Sequence, residues 1–330
     1  MNTGSTVLVT GGGGFIGGHL VARLVRDRRR VRCLLRPLPG RSGPAGAETV
    51  WGDVTDPKTL PRAVAGVETI FHLAGKTKAR SLEEFRATNR DGTVNLLNAV
   101  REEGAPLRRF VLVSSLAAAG PSGEDRPREE EDPPAPVSFY GRSKLEAEEA
   151  LIGAERGFGA AILRPAVVYG PGERDVFQVL RWIARGFRPQ PTGADRLFSA
   201  VYVDDLVEAL VAAAGVGDDG TWFVSDGNVY SWRRSLREIS RIMGRGAVPL
   251  PLPLGAMALA AAGGRKLPGL DGSFFLDKLR ELAHPYWTCS IARARKDLGF
   301  HPRFDLGTGM EETVAWYRNQ GWLKPVRTLG

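Results

Sequence analysis

The stretch Thr10-Gly11-Gly12-Gly13-Gly14-Phe15-Ile16-Gly17 constrains this 330-residue chain more than any other feature. It follows an apolar run, residues 7–10, that reads as a strand, and it leads into residues 15–27, which read as a helix. Glycines at 11, 14 and 17 permit a tight turn, a close approach of backbone to a pyrophosphate, and contact of the helix with the strand. The helix N-terminus adds free N–H groups and the positive end of its dipole. In a strand–loop–helix setting this pattern predicts a dinucleotide site rather than a structural turn, with Gly11, Gly14, Phe15, Ile16 and Gly17 against the cofactor.

The rest of the first half repeats the rhythm. Residues 31–36, 69–74 and 110–115 read as further strands, with helical stretches such as 82–103 between them. Short, nearly continuous apolar strands separated by helices predict an α/β fold, a Rossmann-type doubly wound parallel sheet covered on both faces. Residues 161–168 extend the pattern, and 199–203 with 222–225 are expected to add late pieces to the sheet. Residues 120–137, carrying Glu129, Glu130, Glu131, Asp132, Pro133 and Pro134, read as an exposed loop. From Gly227 onward helices with proline-rich connectors dominate. The expected division is a dinucleotide-binding domain over 1–170, with about 198–226 returning to it, and a smaller, mainly helical substrate domain over 171–197 and 227–325.

Composition narrows the functional classes. With 43% apolar and 25% charged residues, the chain is ordinary globular material. Its two cysteines, Cys33 and Cys289, have no metal-ligand spacing, so no metal site is expected, and they fit a reducing cytoplasm without structural disulfides. The first residues lack the basic and apolar regions of a signal peptide, so a cytoplasmic enzyme is expected. The longest uncharged stretch, 248–264, holds Pro249, Pro251 and Pro253 and falls short of a comfortable membrane span. A net charge of +8 invites thoughts of nucleic acid. The basic residues are scattered, however, and no recognition helix, zinc finger or aromatic RNA motif accompanies them. The expected partner is a small-molecule substrate, with no nucleic acid and no membrane insertion. Weak peripheral attraction to anionic membranes would matter if the substrate were lipidic.

The cofactor and the chemistry can be read further along. An acidic residue at the end of the second strand would bind both ribose hydroxyls and favour NAD. Arg36 stands there instead, 19 residues beyond Gly17, with Arg41 following. A guanidinium pairs with the 2′-phosphate of NADP or stacks on the adenine of an NAD enzyme, so the cofactor is NADP or NAD, with the balance toward NADP. Asp53, after Gly52, suits a turn at the adenine edge, or a helix cap. Tyr140 and Lys144 share one face of a helix by their four-residue spacing. Free tyrosine, with a pKa near ~10, is a poor proton shuttle at neutral pH. A neighbouring ammonium and a nicotinamide cation would favour its phenolate. Ser114 and Ser115 end the strand expected beside the nicotinamide, where a hydroxyl can orient a reacting oxygen.

These elements, in this order, resemble the extended short-chain dehydrogenase/reductase superfamily, also called the NAD-dependent epimerase/dehydratase family. The resemblance rests on TGGGGFIG, WGDVTD, HLAG, NRDGTVNLLNA, VLVSSLAAAG, YGRSK, LRPAVVYGPG and VYVDDL, which span most of the chain. It implies that Ser115, Tyr140 and Lys144 form a catalytic trio, with Lys144 also bonding the nicotinamide ribose. It implies that Val54 with Asp53, and Leu73, Ala74 and Gly75, flank the cofactor, and that Pro165 and Val168 line its nicotinamide end. Asn89 matches a motif asparagine whose role is read as structural. A homodimer through the helices bearing Asn89 and Tyr140 is a further expectation.

Within the superfamily the sequence is similar to the branch containing 3β-hydroxysteroid dehydrogenases and dihydroflavonol reductases. Sugar-nucleotide epimerases carry an asparagine where this chain has Val167 and an arginine where it has Phe198, although Arg196 is close by. Residues 283–287 replace a further polar motif. The expected activity is reversible hydride transfer between NAD(P) and a secondary alcohol or ketone on a hydrophobic molecule. The alternatives are a nucleotide-sugar epimerase or dehydratase with tightly bound NAD, and a non-catalytic dinucleotide-binding protein. The apolar segment 249–264 suits either a lid or a packing helix, and His284 and Trp287 are expected in the core.

Overall fold

A computed structural model describes residues 5–255 and 272–323. From residue 256 on, the segment 249–264 lies outside them. Seven strands form one parallel sheet: β1 (Thr6–Thr10), β2 (Arg30–Leu35), β3 (Glu48–Trp51), β4 (Val67–His72), β5 (Arg109–Val113), β6 (Gly159–Pro165) and β7 (Gly220–Val224). Their spatial order is β7-β6-β5-β4-β1-β2-β3. The order reverses direction between β1 and β4, which opens a crevice at the carboxyl edge of the sheet, where α/β proteins take ligands.

Alternation along the strands divides the core in two. Val7, Val9, Val111 and Val113 point to one face, where the Phe15–Arg26 and Val203–Gly215 helices pack through Leu20, Leu24, Leu206 and Leu210. Leu8, Ile70, Phe110 and Leu112 point to the other, against Leu96, Val100, Ala147 and Leu151 of the Asp91–Glu102 and Phe139–Ile152 helices. Both faces are dry. That is why the strands read as unbroken apolar runs rather than alternating ones.

Three expectations need correction. The run 161–168 is two strands: β6 stays in the sheet, and Val167–Tyr169 leaves it to pair with Ala200–Tyr202 in a separate two-stranded sheet. Pro165, without an N–H, ends the ladder, and residues 199–203 therefore add nothing to the main sheet. The strand Glu48–Trp51 is an addition that the sequence did not announce. The helical stretch 82–103 divides at Arg90 into Leu82–Asn89 and Asp91–Glu102.

Beyond the main sheet a third core gathers Tyr169, Leu180, Ile183, Leu236, Met310 and Tyr317. It belongs to the Arg174–Ala184, Trp232–Ile242 and Leu306–Asn319 helices and to short strands rather than to helices alone. Residues 120–137 carry neither a helix nor a named strand.

Candidate active site

The carboxyl edge of the sheet carries a cleft of about 190 Å³. Gly11 and Gly14 form its floor at the end of β1, and Arg36, Asp53 and Val54 line its far side. Leu73, Ala74 and Gly75, after β4, close the near side. Gly11 has φ +71°, and a Cβ there would lie 2.8 Å from the Ala74 backbone nitrogen. Gly17 is not on the cleft surface. A Cβ there would lie 2.2 Å from the Gly11 carbonyl oxygen, so its part is to let the helix meet the loop. Ile16 packs on the core and Phe15 sets its ring edge to His19. Gly14 caps the first helix without a side-chain bond, leaving the first-turn amides uncapped. A Cβ at Gly13 would lie 2.2 Å from a guanidinium nitrogen of Arg41, which therefore lies across the glycine loop. A narrow glycine cradle, with Arg41 across it and Arg36 on the far wall, fits a dinucleotide phosphate chain.

A buried hydrogen-bond chain holds the cleft floor. The Ala74 N–H donates to Thr10 Oγ1 (3.1 Å), and Thr10 Oγ1 meets His72 Nδ1 at 2.7 Å. His72 Nε2 lies 3.0 Å from Thr93 Oγ1, which donates to the Asn89 carbonyl at 2.7 Å. Thr93 spends its proton on Asn89, so Nε2 carries the imidazole hydrogen and Nδ1 accepts from Thr10. Burial and the nearby Lys144 charge push the His72 pKa down to about 3, so the ring stays neutral. Asn89 extends the lattice. Its amide bonds both the N–H and the carbonyl of Lys76 and donates to Ser143 Oγ on the tyrosine helix.

Tyr140 sits in the first turn of the Phe139–Ile152 helix, which starts at Ser138 because that hydroxyl accepts the Gly141 N–H. Its phenol is hydrogen-bonded to the Ser115 side chain. Ser115 Oγ also accepts the Ala117 N–H, capping a short helix after β5. Lys144 is buried, with Nζ donating to the Val113 carbonyl at 2.5 Å and lying 3.8 Å from where a Cβ at Gly75 would be. The trio thus bridges the end of β5 and the cofactor cleft.

Burial dominates the electrostatics of the trio. Burial pushes the Tyr140 phenol up to about 12, the Ser115 bond opposes the rise, and the Glu281 carboxylate adds to it. Burial pulls the Lys144 ammonium down to about 8. The Lys144 ammonium is engaged by the Val113 carbonyl. Desolvation outweighs every other influence on the phenol.

Tyr140 and Ser115 open onto a second, larger cavity of about 620 Å³. Pro165 and Val168 line it, as do Val167 and Phe198, the two positions where sugar-nucleotide enzymes were expected to be polar. His284 and Trp287, expected in the core, also stand on its wall. The Arg196 guanidinium reaches the cavity but is bonded to the Leu282 carbonyl (2.9 Å) and the Ala194 carbonyl (3.3 Å). Among the described residues no cluster of His, Cys, Asp or Glu could hold a metal, and no helix is long and apolar enough to cross a membrane.

Two supports were missed by sequence reasoning. Ser114, the serine beside Ser115, points the other way and donates to Glu148, which forms a buried ion pair with Arg164 at 2.6 Å. Asp277, on the Gly272–Ala283 helix, accepts the backbone N–H of Phe139 (2.7 Å) and of Tyr140 (3.2 Å). Ser138 donates to Glu281 one turn on, and the Arg280 guanidinium stacks 4.1 Å from the Phe139 ring centroid. The i, i+4 spacing of Asp277 and Glu281 was the available signal.

Comparison with known proteins agrees with this geometry. A sequence model of the NAD dependent epimerase/dehydratase family matches residues 7–224. A ceramide reductase of Caulobacter vibrioides is 35% identical over 326 residues, 96% of this chain and 96% of its own. A 3-beta-hydroxysteroid dehydrogenase of Mycolicibacterium neoaurum is 30% identical, over 94% of this chain and 91% of its own. The Thermus thermophilus UDP-glucose 4-epimerase, solved with NAD, superposes with a TM-score of 0.76 at 26% identity, over 95% of this chain and 99% of that one. The chain is a member of the NAD-dependent epimerase/dehydratase family, an enzyme of the extended short-chain dehydrogenase/reductase type.

Proposed function

We propose that this enzyme interconverts a secondary alcohol and its ketone on a hydrophobic small molecule, using NADP or NAD. The observation that carries the reading is the apolar wall of the cavity onto which Tyr140 and Ser115 open, with Val167 and Phe198 where a nucleotide-sugar pyrophosphate would need polar partners. The ceramide reductase and hydroxysteroid dehydrogenase relatives bear names of hydrophobic substrates, which supports the same class. In this division of labour residues 1–170 hold the cofactor, with 198–226 returning to them, and 171–197 with 227–325 shape the substrate side.

A nicotinamide held in the cleft would supply the hydride or accept it. Tyr140 Oη gives the proton to the forming alkoxide in reduction and takes it from the alcohol in oxidation. Ser115 orients the substrate oxygen against that phenol. Lys144 would hold the nicotinamide ribose and favour the phenolate when the cofactor completes the site. The apolar wall excludes water and strengthens each of these interactions. Arg36 and Arg41 border the adenosine end of the cleft, and neither has an acidic partner among the described residues. We take this as favouring the 2′-phosphate of NADP.

The test is Tyr140→Phe. Turnover of a hydrophobic ketone with NADPH is expected to fall at least ~10²-fold with cofactor affinity retained, the scale of a lost general acid. An unchanged rate would overturn the mechanism. A second reading, a nucleotide-sugar epimerase with bound NAD, is favoured by the likeness to the Thermus epimerase. A clear thermal shift with UDP, and none with a hydrophobic ketone, would establish it instead.

A further inference from the structure

The wall of the substrate cavity continues onto the surface. Strands Phe187–Pro191 and Val248–Leu252 pair in parallel, Phe187 beside Val248 and Pro191 beside Leu252. Residues two apart on a strand share a face. Pro189, Pro191 and Leu252 line the cavity, so the same face carries Phe187 and Val248 at its outer end. These two side chains are 40% and 59% exposed. Trp182, in the last turn of the Arg174–Ala184 helix, lines the cavity and is itself 41% exposed.

The segment that carries this rim is rich in arginine. Residues 174–188 contain Arg174, Arg181, Arg185 and Arg188 and a single acid, Asp175, which Lys78 already pairs. None of the four arginines makes an ion pair among the described residues. Arg185 lies 5.8 Å from the Trp182 ring centroid, and Arg188 Nε is buried without a partner. Among the described residues the Arg181 guanidinium is bonded only to Gln178 Oε1 (3.1 Å), and it lies 6.0 Å from the Phe177 ring centroid. An exposed tryptophan, phenylalanine and valine, with Arg185 against the tryptophan and Arg181 beside them in sequence, have the chemistry of an interfacial element. The rings and aliphatic chains suit the headgroup–acyl boundary and the guanidinium groups suit lipid phosphates.

We propose that the rim formed by Trp182, Phe187 and Val248, with Arg181 and Arg185, docks on an anionic phospholipid surface and places the mouth of the cavity against the bilayer. A lipidic substrate would then enter without crossing water. That consequence rests on the hydrophobic-substrate reading; the docking itself does not. The charge complementarity of the rim selects a bilayer over a second copy of this chain, whose matching rim would be equally positive.

The experiment is co-sedimentation of the full chain with vesicles of phosphatidylcholine alone and of phosphatidylcholine mixed with phosphatidylglycerol. Binding is expected to the mixed vesicles only and to weaken as salt is raised. Arg181→Gln with Arg185→Gln is expected to reduce partitioning about thirtyfold, from about 1 kcal/mol per basic residue. Phe187→Ser with Val248→Ser is expected to reduce it about tenfold. All variants should keep wild-type turnover of a water-soluble ketone with NADPH. Loss of that turnover in the wild type would refute the reaction reading while vesicle binding still reports on the rim. Equal binding to both vesicle types, wild-type binding by both variants, or a loss of self-association in place of vesicle binding would overturn the proposal.

Discussion

The neutral His72 makes a prediction that separates one residue from the rest of the titration of the protein. Its imidazole is 1% exposed, fixed between Thr10 and Thr93, with a pKa of about 3 against an ordinary 6.5. The native state therefore binds fewer protons than the unfolded chain between about pH 3 and about pH 6.5. Stability falls as the pH drops through that window. At about pH 4.5 an unfolded imidazole is almost fully protonated while the native one is not, so His72 alone removes about 2–3 kcal/mol relative to neutral pH. His72→Gln keeps an acceptor for Thr10 and a donor for Thr93 but cannot titrate. Urea unfolding followed by tryptophan fluorescence, at about pH 7 and about pH 4.5, should show the variant losing about 2–3 kcal/mol less than wild type across the interval. Equal losses in the two proteins would mean that His72 is not held neutral, and the proton assignments along the chain would fail with it.

Other perturbations test other parts. Arg164→Met leaves Glu148 buried without its ion pair and should cost about 3–5 kcal/mol in chemical denaturation. A change under about 1 kcal/mol would show that Ser114 alone satisfies the carboxylate. Gly17→Ala drives a methyl into the Gly11 carbonyl, and fluorescence titration should show cofactor binding weakened at least ~10-fold even where the variant folds. Arg36→Ala should lower kcat/KM with NADPH about ten- to a hundredfold, the worth of a charge-assisted bond at about 1.5–3 kcal/mol, and change it little with NADH. Equal losses with both cofactors would remove Arg36 from 2′-phosphate recognition.

The parts of the molecule legible in its sequence are those whose geometry is local. Glycines at 11, 14 and 17 announce the loop because backbone clearance within a few residues dictates them, and the structure adds that Gly17 serves the helix rather than the cleft surface. Parallel strands buried on both faces announce themselves as apolar runs, yet the same continuity hides a change of sheet. From Ala161 to Val168 only Pro165 marks the point where the chain leaves the sheet, and a proline does not say that Ala200–Tyr202 is the next partner. His72 reads as a lone histidine in a strand, because its two hydroxyl partners lie 62 and 21 residues away. Asp277 lies 138 residues from the amide it accepts, and no periodicity connects the two. The phenol of Tyr140 was placed in the right company by its motif. Its acidity is set by packing from every side, including Glu281 from a distant helix, and no local motif displays that.

The grip of Asp277 on the first turn of the tyrosine helix bears on how this scaffold can change its substrate. Lys278, Glu281 and Leu282, on the same helix, face the cavity while Asp277 holds the amides of Phe139 and Tyr140. A shift of that helix to admit a wider or longer molecule would therefore drag Tyr140, the proposed proton donor, with it, and a displacement near 1 Å is enough to harm alignment. In this chain the shape of that cavity wall and the position of Tyr140 are coupled through one carboxylate. Divergence to new substrates is channelled toward the walls that leave the Asp277 anchor in place, such as Val167, Phe198 and the proline strand.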